Sequence, residues 1–285
     1  MKLACVVVLY NPDASVEAAI ASYIDEVDIV YAVDNSAANQ KDRFENEKIV
    51  YLPCGENKGI AYALNLGAKM AIADGYGWLL TMDQDSFFED YGLEKMKNFI
   101  CESKNAKNEY DAKSIGIVSP FHDTAISEGE RFEGVDSPAV VMTSGNIINL
   151  DAYKTVGGFK DWMFIDAVDF DFCLNLRCGG YQILRLGGAV LKHKLGNAVF
   201  KRIGSKKIIS LNHSPVRRYY IVRNRHYLYD MYHKSYPEFC KAERKMTLKE
   251  AVKIVLCEKQ KSKKLWAMFK GYADYKRGLK GKKYF

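Results

Sequence analysis

Met82-Asp83-Gln84-Asp85 closes an apolar run with two carboxylates one residue apart. In a turn, such a pair can reach one hard divalent cation from a single loop. Mg2+ or Mn2+ shared with diphosphate oxygens is the usual partner of so sparse a ligand set. The same residues also suit an ordinary turn, because Asp hydrogen-bonds its own backbone there. Asp34 ends a second apolar run over residues 29–33 in the same manner. Three more acids, Asp166, Asp169 and Asp171, stand where a segment with helical spacing begins, and the first two are three apart, near one face of that helix start. Acid enrichment at a helix N-terminus accounts for such a group without any chemistry. Between Ser214 and Tyr232, arginines 217, 218, 223 and 225 are interspersed with tyrosines. Tyr220, Arg223, Asn224 and Tyr227 share a helical face, where a guanidinium can clamp a diphosphate. A solvated basic face over aromatic packing is the plainer alternative.

These residues need elements that bring them together. Residues 3–10 are a near-continuous apolar, β-branched run, the pattern of a central strand covered on both faces. Residues 29–33, 48–52 and 78–82 read as further strands. Ser15 is placed to cap a helix reaching about residue 24, and Asn57-Lys58-Gly59 opens another to about residue 73. Such alternation predicts an α/β fold: a Rossmann-like, mostly parallel sheet flanked by helices. Ligands of these sheets sit beyond the carboxyl ends of the strands, where Asp34, Asp83 and Asp85 lie. Farther on, 114–119, 139–143, 181–186 and 189–193 are predicted strands. Residues 151–156 and 168–178 are predicted helices closed by Gly157-Gly158 and Gly179-Gly180, and a long helix starts at Ser214-Pro215. The chain after Lys241 is predicted as helical pieces.

With 285 residues, 48% apolar and 27% charged, the chain can bury a sizeable core. Its net charge of +7 is uneven: residues 1–200 hold 18 Lys/Arg against 29 Asp/Glu, and residues 201–285 hold 24 against 6. An acidic body with a basic end implies a surface that meets phosphates, in lipid, nucleic acid or a diphosphate ligand. The first apolar run is too short to span a membrane, and no small-residue cleavage site follows it. Seven scattered cysteines without a C-x-x-C pair predict reduced thiols of a cytosolic protein, not a disulfide framework or zinc site. Near the end, Leu256, Leu265, Trp266, Phe269 and Tyr272 interleave with lysines. That pattern fits a helix lying on an anionic leaflet, or a solubilising helix pair or homodimer contact.

Taken in order, Val7-Val8-Leu9-Tyr10-Asn11-Pro12, Val33-Asp34-Asn35-Ser36, Asn57-Lys58-Gly59 with Asn65, and Met82-Asp83-Gln84-Asp85 resemble the nucleotide-sugar half of the GT-A glycosyltransferases of family 2. Ser144-Gly145-Asn146, Gly157-Gly158-Phe159 and Phe164-Ile165-Asp166-Ala167-Val168-Asp169-Phe170-Asp171 extend the likeness toward the bacterial rhamnosyltransferase branch. Leu191-Lys192-His193-Lys194-Leu195-Gly196 and Arg218-Tyr219-Tyr220 with Arg223-Asn224 carry it to about residue 230.

The resemblance implies a GT-A-type nucleotide-sugar-binding and catalytic domain over residues 1–200, with a basic helical region over 201–285. It implies that Asp34 and the Tyr10-Asn11 loop contact the pyrimidine of a nucleotide, and that Asp83 faces ribose and donor sugar. Asp85 would bind the metal that bridges the two phosphates, and His193 would complete the metal or diphosphate site. An imidazole beside carboxylates suits Mn2+ somewhat better than Mg2+. Asn57, Lys58, Ser144, Gly145 and Asn146 fall to the donor pocket, the glycine letting backbone approach a sugar, and Arg223 falls to the leaving diphosphate. Inverting transfer needs one base for the proton of the acceptor hydroxyl and no protein acid at the leaving group, which metal and cations neutralise. The family's Glu-Asp-x-Asp aligns with Val168-Asp169-Phe170-Asp171, so Asp169 is the implied base, Asp166 the runner-up, and Val168 replaces the usual Glu.

The expected activity is metal-dependent, inverting transfer of L-rhamnose from dTDP-L-rhamnose to a lipid-linked or oligosaccharide acceptor, on the cytoplasmic side of the cell membrane. UDP-glucose or UDP-galactose is the alternative donor. A sugar-phosphate nucleotidyltransferase is more distant, since Tyr10-Asn11-Pro12-Asp13 replaces the Gly- and Lys/Arg-rich phosphate loop of that class. A nucleic-acid-binding role leaves the acidic body and its D-x-D unexplained.

Overall fold

Ala-Cys-Val-Val-Val-Leu is apolar at every position, and as β1 (Ala4–Leu9) it is buried almost throughout in the middle of a sheet. The computed structural model describes residues 1–103, 110–124, 131–193, 199–203 and 206–283. Lys194, Leu195 and Gly196 of the last His193 motif lie outside the described residues. β1 is joined by β2 (Ile29–Asp34), β3 (Ile49–Pro53) and β4 (Trp78–Asp83) in parallel. The other strands are β5 (Phe87–Glu89), β6 (Ile115–Asp123), β7 (Val135–Asp136), β8 (Asn146–Asn149) and β9 (Gln182–Lys192). The sheet runs β3-β2-β1-β4-β8-β6-β9-β5, with β7 also on β9. β8 is antiparallel to both β4 and β6, and β9 is parallel to β6, so β1–β4, β6 and β9 run one way. The sheet is therefore mixed: β1–β4, β6 and β9 run one way, while β5, β7 and β8 run against them, so it is less parallel than the strand–helix alternation predicted.

Helices α1 (Val16–Ala21), α2 (Ile60–Ala73), α3 (Gly92–Glu102), α4 (Leu150–Val156) and α5 (Val168–Cys178) accompany the sheet. The core joins Leu3, Val7, Leu9, Leu80, Met82, Val118, Ile147 and Leu191 with Leu93 and Met96 of α3. Ser15 does not cap α1 with its side chain; its hydroxyl donates to Asp13 instead. The strand expected over 139–143 does not form: Val141 N–H instead turns to Cys173 Sγ, and the neighbouring strand is β8. Asn-Ile-Ile-Asn hides β8 from pattern reading, and Asn149 doubles as the N-cap of α4, accepting from the N–H groups of Asp151 and Ala152. The two strands expected at 181–186 and 189–193 are one, β9, with a register shift where Leu186 and Val190 face Pro120 and Phe121.

The chain divides into two compact units. One holds Met1–Asp161 and Asp169–Lys194; the other holds Trp162–Val168 and Leu195–Phe285. The second unit thus takes in the segment carrying Asp166. It contains the hairpin β10 (Val199–Ile203) and β11 (Lys206–Ser210), then α6 (Pro215–Tyr232), α7 (Pro237–Cys257) and α8 (Lys261–Lys276). Ser214 caps α6, its hydroxyl oxygen accepting the Arg217 N–H, with Pro215 in the first turn. Val222, Ile254 and Met268 bury the contact of the three helices. Phe164, Tyr219, Tyr220 and Ala267 form a second cluster. Among the described residues, no helix is long and apolar enough to cross a membrane.

Candidate active site

The six co-directional strands turn their carboxyl ends to one edge of the sheet, and the antiparallel β8 begins there. Asp34 is buried at the end of β2 with both oxygens engaged: Oδ1 accepts the Ser36 N–H at 2.8 Å and Oδ2 the Tyr51 hydroxyl at 2.6 Å. Burial, together with that bond, pushes the Tyr51 hydroxyl up to about 12, so it remains a donor. Asn11 N–H donates to Ser36 Oγ at 2.7 Å, and Tyr10 stands beside it 52% exposed. Asn35 connects this loop to the start of α2, donating to Gly59 O and accepting the Lys58 N–H. Asn57 Oδ1 accepts the Gly59 N–H, and the Lys58 ammonium lies 5.0 Å from the centre of the Tyr62 ring. Asn65 is satisfied internally, donating to Phe159 O and accepting from Phe159 N–H and the Tyr153 hydroxyl.

Asp83, Asp85 and His193 each offer a ligand atom, and these atoms lie within 4.8 Å of one another. Gln84 locks the turn between the acids to the Tyr10 turn, accepting the Tyr10 N–H at 2.7 Å and donating to Tyr10 O. His193 Nδ1 pairs with the hydroxyl of fully buried Ser86 at 2.8 Å, which leaves Nε2 as the ligand nitrogen. Two carboxylates and one imidazole form a donor set suited to a small divalent cation.

Asp83 N–H donates to Ser144 Oγ at 3.0 Å. The Ser144 carbonyl accepts from His122 Nε2 at 2.6 Å, and burial drives that imidazole down to about 4, keeping it neutral. Gly145 has φ +80°, and a Cβ there would meet Leu191 Cδ2 at 2.8 Å and Pro120 Cγ at 2.9 Å. Its missing side chain makes room for Leu191 and Pro120. Asn146 donates to Met142 O, while its buried Oδ1 has no hydrogen-bond partner among the described residues. With Thr81, Thr143, Cys173 and Asp169 it lines a cavity of about 10 Å³, room for a single water.

Asp169 is the second residue of α5, half-buried, with Oδ1 accepting the Phe170 N–H. Asp171 is fully buried and takes both oxygens to Lys160, at 2.7 and 2.8 Å. In the second unit, Arg217 holds the Asp166 carboxylate in an ion pair, and Asn224 donates to the carbonyls of Met163, Ile165 and Asp166. Phe164, Asp166 and Ala167 all have positive φ, a strained arrangement that these bonds over-determine. Arg223 is buried in the same unit and donates to Trp162 O, Met163 O, Gly281 O and Asn224 Oδ1. The first unit thus brings Asp83, Asp85 and His193 together and braces them through Tyr10 and Ser144. Asp166 and Arg223 belong to the other unit. Four bracing residues are absent from the expected site. Gln84 lies between the acids and Ser86 follows them, so both are legible as polar neighbours of a D-x-D. His122 and Arg217 meet partners 22 and 51 residues away, with no local signal.

The family model for Glycosyl transferase family 2 matches residues 4–125. The chain is 30% identical, over 243 residues, to the dTDP-rhamnosyl transferase RfbF of Shigella flexneri, covering 77% of each chain. Among solved structures, S. aureus TarS superposes with a TM-score of 0.56 at 15% identity, covering 94% of this chain and 42% of that one. GalNAc-T7, crystallised with UDP, GalNAc and Mn2+, gives a TM-score of 0.60 at 12% identity, covering 98% of this chain and 58% of that one. The chain thus spans about half the length of these two structural neighbours, whose likeness is one of fold. The ordered motifs, the GT-A-like sheet and the similarity to RfbF agree: the chain belongs to glycosyltransferase family 2 and is a glycosyltransferase that uses a nucleotide sugar.

Proposed function

We propose that this glycosyltransferase moves L-rhamnose from dTDP-L-rhamnose to a lipid-linked or oligosaccharide acceptor, with inversion and with a divalent cation, at the cytoplasmic side of the cell membrane. The observation that carries the metal site is the convergence of Asp83, Asp85 and His193 within 4.8 Å. The similarity to RfbF supports the donor.

The three ligand residues fit Mn2+ or Mg2+, because hard carboxylates dominate and one imidazole is oriented by Ser86. When bound, the cation neutralises charge on the diphosphate leaving group. The remaining work falls to the chain itself. Tyr10, Asn11 and Asp34 hold the nucleotide base, and Asn57 and Lys58 close the loop beside it. Ser144 steadies Asp83 through its backbone, so Asp83 can meet ribose and sugar. Asp169 takes the proton of the acceptor hydroxyl as that oxygen bonds to the anomeric carbon and the bond to the diphosphate breaks on the opposite face. The buried Asn146 Oδ1 and the water-sized cavity between it and Asp169 support this choice. Asp166 is the weaker candidate, its carboxylate being paired with Arg217. Arg223, with its donors spent on three carbonyls and Asn224, acts by holding the Trp162–Asp166 segment in shape.

Turnover of a nucleotide-sugar panel on a lipid-linked acceptor, with and without EDTA, tests the reading. dTDP-L-rhamnose should be consumed only with a divalent cation, and Asp169→Asn should lower kcat by about 10²–10⁴-fold. Asp85→Ala should abolish the metal response. Preference for UDP-glucose or UDP-galactose would replace the donor, and full turnover in EDTA would remove the metal site.

A further inference from the structure

From Lys241 onward the chain carries 15 Lys/Arg and 4 Asp/Glu. Folding turns all four acids inward. Glu243 pairs with Arg225, Glu250 with Arg218 and Arg225, Glu258 with Arg218 and Lys264, and Asp274 with Lys283. None of the four is exposed, whereas Lys245, Lys249, Lys259, Lys261 and Lys263 are. The outer surface of α7 and α8 is therefore more cationic than its composition.

The two helices also expose apolar side chains. Leu248, Val252 and Val255 lie four and three residues apart along one row of α7, and Leu248 is 71% exposed. Lys245 and Lys249 follow on the adjacent row. On α8, Trp266 and Phe269 stack outward with ring centres 5.5 Å apart, Trp266 being 64% exposed. Core contacts on these helices are made by other residues, Ile254 and Met268 among them, and the outer row keeps about half or more of its surface in water.

Three occupants can be weighed by chemistry. A second copy would bring lysines against lysines. A nucleic acid would match the lysines but leave Leu248, Val252 and Val255 in water. An anionic bilayer accepts both, taking the apolar row and the tryptophan into the headgroup boundary while its lipids neutralise the lysines. We propose that the outer faces of α7 and α8 form a docking surface for an anionic lipid bilayer. Docking draws on neither donor nor metal, so its success or failure is separate from that of the proposed reaction.

Co-sedimentation of the full chain with vesicles tests it, using phosphatidylcholine alone and phosphatidylcholine mixed with phosphatidylglycerol. Binding should require the anionic lipid and weaken with salt, and each of Lys245→Gln and Lys249→Gln should weaken partitioning about fivefold. Trp266 should be quenched by brominated acyl chains, and Trp266→Ala with Phe269→Ala should release the protein while nucleotide-sugar turnover persists. Equal binding to both vesicle types, no binding to either, or undiminished binding of the variants would overturn the proposal. So would a dimer dispersed by the Trp266 and Phe269 changes, or salt-dependent oligonucleotide binding, in a protein that ignores vesicles.

Discussion

Ser86 decides which nitrogen of His193 faces the two carboxylates. A neutral imidazole that ligates through Nε2 carries its proton on Nδ1, which lies 2.8 Å from Ser86 Oγ, so in that tautomer Ser86 would accept it. Ser86→Ala removes the acceptor and frees the ring, so divalent-ion affinity should fall by about 10–100-fold, read by calorimetric titration. Ser86→Thr, which keeps the hydroxyl, should recover part of it. His122 works at the same scale through a backbone carbonyl, and its burial gives a pH signature. The native imidazole resists protonation down to about 4, while the unfolded one takes a proton near 6.5. The unfolded state therefore binds more protons between those values, and stability is lost as pH falls through that window. In EDTA, urea unfolding should show a loss of about 2 kcal/mol from this group between pH 7.5 and pH 5. His122→Asn, which retains an N–H donor but does not titrate, should lack that component.

At the level of elements, close approach decides what the sequence tolerates. α6 and α8 cross at Gly271, where a Cβ would stand 2.4 Å from the Tyr219 carbonyl oxygen. Backbone cannot move aside as a side chain does, so Gly271→Ala should cost about 1–3 kcal/mol in urea unfolding. Gly188→Ala, with no atom within 4 Å of the added Cβ and no positive φ, should cost much less. β8 teaches the complementary lesson. Its four residues, Asn-Ile-Ile-Asn, carry a weak pattern, whereas the more β-branched stretch at 139–143 is not a strand. Membership of the sheet went to the segment whose ends could be satisfied: Asn149 caps α4, and Gly145 N–H donates to Thr81 O.

Across the whole molecule, charge acts by position more than by count. Glu258 is buried between Arg218 and Lys264 and also accepts the Ser210 hydroxyl. Glu258→Gln would take the carboxylate from buried Lys264 and leave buried Arg218 with Glu250 alone, and should cost about 3–5 kcal/mol. Lys241→Ala breaks only the exposed pair with Glu238, which is worth at most about 1 kcal/mol. Urea unfolding of the two variants, side by side, checks the contrast. By itself the sequence determined the strand–helix alternation, the acids at strand ends and the ordered family motifs. These are local properties, written in apolar period, turn chemistry and spacing. The resemblance set His193, 108 residues beyond Asp85, beside the aspartates, but only the tertiary structure decided their spacing and the Ser86 contact that aims the ring. It also decided that Asp166 answers to Arg217, that Arg223 spends its donors on carbonyls, and that every acid after Lys241 faces inward. Each of these depends on partners distant in the chain, which pairwise spacing cannot encode and which sheet register and helix crossing bring together.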